Sequence, residues 1–193
     1  MYFCGMKTPN LPIIMGITAL FSLICTISSC VSGEQCVLCT PDMTETVTKA
    51  TLQFVPTNNP NDTIFATLND LNYVEVFSGT GETALLQNNT QYQVYLDLWN
   101  EQKTIPEHVS TKLLNEGTYH QCFYTIPDSL WLDLQYADAD SNNNPIGLKM
   151  IAQTGNPSHD TLGIIMSLEI TGKDNNPDTG EKEIDIKFPI IIE

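Results

Sequence analysis

The chain has 193 residues and is strongly acidic, with 23 acidic residues against 8 basic ones and a formal net charge of −15 at pH 7. All the basic residues are lysines. Nucleic-acid binding depends on Lys and Arg contacts to phosphate, and bidentate recognition of phosphate uses the guanidinium group. The composition therefore argues against a nucleic-acid partner, and the length suits one ordinary domain with a proper core.

The N-terminal segment has the pattern of a lipoprotein leader. Lys7 is the only basic residue before position 49, and residues 11–27 are mostly apolar. This stretch is shorter than the roughly 20 apolar residues of a membrane-spanning helix and fits a signal-peptide core. Ile27-Ser28-Ser29-Cys30 resembles a bacterial lipobox, in which the cysteine thiol accepts a diacylglycerol. The sequence predicts cleavage before Cys30 and membrane attachment through lipid, including palmitate, on that residue. The alternative is an uncleaved anchor.

These features predict three regions: a signal peptide over 1–29, a lipidated flexible tether over 30–45, and one domain over 46–193. The predicted location is the cell envelope, at the outer membrane. Cys36 and Cys39 lie within the tether at a spacing that suits a local disulfide or a plain thiol pair. A redox motif would need a βαβ context, which the surrounding sequence does not provide.

Beyond the tether, hydrophobic residues alternate with polar ones at a period of 2, which predicts strands. The strongest rows are Leu52–Phe54, Tyr92–Leu98, Leu130–Tyr136, Leu162–Ile170 and Ile184–Ile192, and weaker strands are predicted over 63–68, 73–78, 118–126 and 146–153. Turns rich in Asn, Asp, Pro and Gly separate them. We therefore expect an all-β, antiparallel β-sandwich of the Ig-like or Greek-key type. One short crossover helix is predicted over 106–116, with Val109, Leu113 and Leu114 on one face.

The clearest candidate metal site is an Asx-rich segment. Asp138, Asp140 and Asn142 occupy alternate positions, as oxygen ligands do in calcium loops. A full EF-hand is excluded, because Asn143 and Lys149 stand where that motif requires Gly and Glu. The two interpretations are a small calcium loop and a hairpin turn stabilised by Asx side chains.

A second loop repeats the alternation less perfectly. Asp174, Asn176 and Asp178 could supply calcium ligands, but Pro177 and the late Gly180 interrupt the pattern. Calcium is thus the one cofactor that the sequence suggests.

No catalytic constellation is evident in the sequence. His108, His120 and His159 are far apart along the chain, and we expect independent placement rather than a shared metal site. Trp99 and Trp131 fall on the polar faces of their predicted strands. An outward aromatic row suits contact with a carbohydrate or a protein, and the alternative is a second layer of core under the crossover helix.

Several segments resemble a group of small exported lipoproteins of Bacteroidota-type bacteria. They are Tyr119-His120-Gln121-Cys122-Phe123-Tyr124, residues 136–148, Thr154-Gly155, Thr161-Leu162-Gly163-Ile164 and Ile184-Asp185-Ile186-Lys187-Phe188-Pro189-Ile190. The chain departs from that group at Asn143, where a Gly is usual, and at Cys122, where a bulkier aromatic is usual. The resemblance implies an exported β domain, in some cases beside an outer-membrane TonB-dependent receptor, and implies no activity. Thr63, Ser129 and Thr161 lie in short motifs that resemble the O-glycosylation signal of these bacteria.

The combined expectation is a membrane-anchored lipoprotein whose domain is a non-catalytic binding module, accessory to an outer-membrane nutrient-uptake receptor. The alternatives are a calcium-stabilised structural or adhesive surface module and a hydrolase with an unrecognised site.

Overall fold

The computed structural model describes residues 45–69, 71, 81–169 and 172–193. They form ten strands, a short 3-10 helix over Pro60–Asp62 and one α-helix. The strands are β1 Lys49–Pro56, β2 Ile64–Leu68, β3 Ala84–Leu86, β4 Gln91–Asn100, β5 Glu107–His108, β6 His120–Thr125, β7 Leu132–Tyr136, β8 Lys149–Thr154, β9 Ser158–Leu168 and β10 Glu181–Ile192, and helix α1 spans Val109–Asn115. The predicted strand over 73–78, the signal peptide and all of the predicted tether except Glu45 lie outside the described residues.

The strands form two sheets that enclose a shared core, which confirms the all-β sandwich prediction. The first sheet has the order β2-β1-β4-β8-β7, with β5 against the end of β4, and the second has the order β3-β10-β9-β6. Every pair is antiparallel except β3 and β10, which run parallel. The three-residue strand β3 was not predicted, because it is too short to show a period.

The alternating rows point inward as predicted. Leu52, Phe54 and Tyr92 are fully buried, and the rings of Phe54 and Tyr92 meet edge to face at 6.0 Å. Burial of a large apolar side chain contributes about 1.5–3 kcal/mol each, so these rows drive assembly of the two sheets. The Tyr92 hydroxyl accepts the Gln87 N–H at 2.8 Å, which satisfies the one polar atom of this buried side chain.

Helix α1 is shorter than the predicted 106–116 segment and packs beside β4. Val109 and Leu113 are buried as expected, but Leu114 is 49% exposed, so its predicted place on the buried face was wrong. The Ser110 hydroxyl accepts the Leu98 N–H at 2.8 Å and donates to the Leu96 carbonyl at 3.2 Å. Ser110 of the helix thereby satisfies two backbone groups in the part of β4 that lies beyond its pairing with β8.

The described part of the chain contains no helix with the length and hydrophobicity needed to cross a membrane.

Candidate functional site

The first Asx-rich loop connects β7 to β8, and its carboxylates bind protein donors. Asp138 accepts backbone N–H groups from Gly147, Leu148 and Lys149 at 2.8–2.9 Å. Asn143 adopts a left-handed conformation with φ +64°, as the sequence suggested. The Asp138 carboxylate therefore links the beginning of the β7–β8 connection to its end.

Asp140 is held in the same way and also forms a buried ion pair. Its Oδ1 accepts the N–H groups of Asn142 and Asn144, and its Oδ2 lies 3.2 Å from Lys173 Nζ. The side chains of Asp140 and Lys173 are at most 1% exposed. Burial opposes ionisation of Asp140, but the two N–H donors and the Lys173 ammonium outweigh it and lower the pKa of this carboxyl.

The second predicted loop is also closed by its own hydrogen bonds. Asp174 accepts the Thr179 hydroxyl and the Asn176 N–H, and both interactions lower its pKa. Asn176 in turn accepts the Asp178 N–H. Lys173 immediately precedes Asp174 and pairs with Asp140, so its ammonium connects the two Asx loops. Calcium binding at either loop stays a prediction, and the hydrogen bonding favours the alternative of Asx-stabilised turns.

A buried cluster that the sequence did not reveal brings four segments together. Glu45 precedes β1, Glu116 follows α1, His120 begins β6 and Glu183 lies near the start of β10. The β9–β10 register shifts between Lys182 and Ile184. A β-bulge re-aims a side chain, which accounts for the inward position of Glu183 in a strand whose alternation would place it outside.

The cluster is closely packed and almost completely enclosed. The side chains of Glu45, His120 and Glu183 are 1–2% exposed. Glu183 Oε1 accepts the Glu45 N–H at 2.6 Å, while Glu183 Oε2 lies 3.4 Å from His120 Nε2. Possible ligand atoms of Glu45, Glu116 and His120 all lie within 4.8 Å of one another.

Charge in the cluster is unbalanced, because Lys112 is the only lysine paired with its three carboxylates in the described residues. Burial raises the pKa of Glu45, although the ion pair with Lys112 opposes the shift. Burial disfavours the charged form of His120, but contact with Glu183 and the nearby Glu116 outweighs it and raises the pKa of the imidazole. The geometry thus provides a site that favours a proton or another cation.

A second feature is the outer face of the first sheet, where five glutamines project. We call the surface formed by Gln53, Gln91, Gln93, Gln135 and Gln153 the amide face. The strand register places Asp133, Gln153 and Gln91 in one row, and Gln135, Ile151 and Gln93 in the next.

Trp131 lies at the edge of the amide face and is 57% exposed, as its predicted outward position requires. It lines an open groove of about 420 Å³ with Asp128, Leu130, Leu132, Asp133, Gln153, Thr154 and Gly155. The backbone N–H of Trp131 donates to Ser158 Oγ at 3.0 Å, and the backbone carbonyl of Trp131 accepts the Gly155 N–H at 2.7 Å. A Cβ on Gly155 would lie 3.3 Å from Trp131 Cε3, so the glycine lets the indole rest close to the backbone.

Trp99, the other outward tryptophan, is already covered. Its ring stacks on His108 with centroids 4.5 Å apart, and its Nε1–H donates to Asp97 at 2.8 Å. His108 also pairs with Asp97. The three histidines occupy separate places, as expected, since His108 lies on this face, His120 lies in the buried cluster and His159 is in β9.

The remaining predicted site residues are not gathered into either feature. Ser129 and Thr161 are exposed and both lie next to Asp160, while Thr63 is half-buried and donates to the Pro60 carbonyl. O-glycosylation at these positions stays a prediction. Cys30, Cys36 and Cys39 lie outside the described residues. Cys122 is buried, and burial raises its pKa to about 12, so this thiol is unreactive.

Comparison with protein-family models, curated proteins and solved structures finds no match. Function must therefore be argued from the chemistry of these surfaces.

Proposed function

We propose that this chain is a non-catalytic binding module whose amide face and Trp131 groove bind a neutral carbohydrate. Lipid on Cys30 would hold the module at the cell envelope, at the outer membrane, where it would present ligand to a nutrient-uptake receptor. The observation that carries the proposal is the exposed indole of Trp131 beside a surface rich in side-chain amides.

The groups on this surface suit a sugar. A pyranose offers an apolar C–H face, which an exposed aromatic ring can cover, and a rim of hydroxyl groups. Each Gln side chain has two N–H donors and a carbonyl acceptor, so it can bond to hydroxyls in either direction. Trp131 supplies a large apolar surface with a polar handle, the combination that is enriched at binding surfaces.

Charge favours a neutral ligand over an acidic one. Asp128 and Asp133 line the groove, and the chain as a whole carries a net charge of −15. An acidic glycan would therefore be repelled, whereas amides and carboxylates can both accept hydrogen bonds from neutral hydroxyls.

The groove supports binding better than catalysis. Its described lining residues contain no histidine, cysteine or lysine, and its one hydroxyl, that of Thr154, accepts the Thr90 N–H and donates to the Gln87 carbonyl at 2.7 Å. Glycoside hydrolases use two carboxylates, one of them a general acid enclosed by apolar groups, whereas Asp128 and Asp133 in this lining are both exposed. The hydrogen bonds of the Trp131 backbone instead favour a binding surface that is formed before the ligand binds.

Replacing Trp131 with alanine is expected to weaken binding of a neutral polysaccharide by at least tenfold, or about 1.4 kcal/mol. The measurement is isothermal titration of the full-length chain with a panel of neutral and acidic polysaccharides, backed by affinity electrophoresis. Leu85, which is 51% exposed on β3 of the other sheet, provides the matched control through Leu85→Ala. Equal affinity of Trp131→Ala and the unaltered chain, or no binding to any neutral glycan, would contradict the proposal.

Membrane attachment is tested separately by metabolic labelling with palmitate. We expect the unaltered chain to incorporate the label and Cys30→Ala to incorporate none, because that thiol is the predicted acceptor. Cys36→Ala is the control and should be labelled as strongly as the unaltered chain. Equal labelling after Cys30→Ala would exclude lipid on this residue.

A further inference from the structure

We propose that Glu45, Glu116, His120 and Glu183 form a binding site for a divalent transition-metal ion, with zinc as the preferred metal. The site is separate from both Asx loops and from the Trp131 groove. It would join three parts of the chain that are distant in sequence, since Glu116 and His120 are neighbours but Glu45 and Glu183 are 138 residues apart.

The spacing of the donors fits a single ion. Zinc binds His nitrogen and carboxylate oxygen at about 2.0–2.2 Å, which places neighbouring ligand atoms about 3.5 Å apart in a tetrahedron. His120 Nε2 and Glu183 Oε2 already lie 3.4 Å apart. The ligand atoms of Glu45, Glu116 and His120 lie within 4.8 Å of one another, so small side-chain rotations would complete the set.

A buried imidazole that forms no hydrogen bond at Nε2 provides independent support. His120 is 1% exposed, and its Nε2 forms no hydrogen bond among the described residues, its charged neighbour being Glu183 Oε2 at 3.4 Å. Its other ring nitrogen, Nδ1, lies 3.4 Å from the Glu116 carbonyl. Metal-bound histidines commonly donate one ring N–H to a backbone carbonyl, which directs the lone pair of the other nitrogen to the metal.

Two carboxylate oxygens also lack hydrogen bonds. Glu116 Oε2 and Glu183 Oε2 are buried without one in the described part of the chain, and Glu183 Oε2 has only the His120 imidazole 3.4 Å away. Buried polar atoms are normally paired, and an unpaired buried carboxylate is costly. With Lys112 paired to Glu45, three carboxylates face one lysine, and a divalent cation would neutralise the excess negative charge.

The mixture of donors selects the metal class. Calcium prefers an all-oxygen site with six to eight ligands, whereas imidazole favours zinc and related transition metals. Three carboxylates and one histidine provide four ligands, the number typical of zinc.

The test uses the full-length chain without a histidine tag, stripped of metal with EDTA and titrated with Zn²⁺. We expect one equivalent to bind, by metal analysis of the dialysed protein, and Tm to rise by several degrees when free Zn²⁺ is 100 times Kd. His120→Gln and Glu183→Gln should each lower the affinity at least tenfold. His159→Gln changes an exposed histidine outside the cluster and should bind as the unaltered chain does.

A second readout does not depend on variants that fold. Co²⁺ bound in place of Zn²⁺ should give visible absorption of a tetrahedral site, and the ¹⁵N shift of the His120 Nε2 should move on Zn²⁺ addition. Absence of a bound equivalent, an unchanged His120 ring, or equal affinity in His120→Gln would overturn the proposal. Glycan binding measured on the same stripped protein keeps this result separate from the carbohydrate proposal.

Discussion

Replacing Asp140 with alanine is expected to lower the free energy of unfolding by about 3–5 kcal/mol, the usual cost of breaking a buried ion pair from one side. The substitution would leave the enclosed Lys173 ammonium without its carboxylate and the N–H groups of Asn142 and Asn144 without their acceptor. Lys173 would keep only its bond to the Pro145 carbonyl. Urea-induced unfolding in EDTA gives the measurement.

Asn142→Ala is the matched control within the same loop. Asn142 bonds to Asp140 through its backbone N–H and not through its side chain in the described structure, so loss of this exposed side chain should change stability by no more than about 0.5 kcal/mol. Repeating both measurements in millimolar calcium distinguishes the two interpretations of the loop. If the loop is a structural turn, each variant loses the same free energy of unfolding with and without calcium. A rise in Tm on addition of calcium that Asp140→Ala abolishes would contradict that interpretation. Equal stability of Asp140→Ala and the unaltered chain would show that the ion pair contributes nothing.

Replacing Gly147 with alanine is expected to cost about 3 kcal/mol or more. Gly147 has φ +88°, a conformation that L side chains rarely adopt, and a Cβ would lie 2.5 Å from the Cys122 carbonyl oxygen. The surrounding backbone has little room to move, because the Tyr124 hydroxyl donates to the Gly147 carbonyl and the Tyr136 hydroxyl to the Cys122 carbonyl. Steric overlap with a fixed neighbour is among the mechanisms that give the largest losses for single substitutions.

Gly172→Ala separates backbone strain from the steric clash. Gly172 also has a positive φ, +108°, but no heavy atom of the described residues lies within 4 Å of an added Cβ. We expect it to cost only about 1 kcal/mol, the penalty of a left-handed alanine. Thermal and urea unfolding of both variants gives the comparison, and losses of similar size would argue against the clash at Gly147.

Failure of either proposal leaves the other intact, because the Trp131 groove and the buried cluster share no residue. Zinc binding without glycan binding would retain a metal-stabilised β-sandwich domain. Glycan binding without zinc would leave Glu45 and His120 as a proton-binding cluster within a carbohydrate-binding module.

The local features of this fold could be predicted because each is encoded within a few neighbouring residues. Alternation over Tyr92–Leu98 and Leu162–Leu168 indicated strands with one buried face, and the structure buries those rows in β4 and β9. The Asx-rich segment at Asp138 predicted a tight turn, and Asn143 takes the left-handed conformation that such a turn uses. The outward position of Trp131 followed from the same period of two.

Non-local features could not be predicted in this way. The parallel pairing of β3 with β10 depends on which sheet edge is free, and the ion pair of Asp140 with Lys173 depends on the approach of two loops. The inward position of Glu183 contradicts simple alternation and depends on an irregularity in the β9–β10 register.

The sequence by itself determined the strand periodicity, the turns and the acidic composition, and it predicts a lipid-anchored leader. Only the tertiary structure decided which chemical groups meet. Glu45, the neighbouring pair Glu116 and His120, and Glu183 come from three distant parts of the chain, and no spacing marks those three parts as neighbours. Helix α1 packs on β4 of the first sheet, whereas His120 and Glu183 lie in the second sheet, so their convergence depends on the two sheets meeting at one apolar core rather than on any local signal.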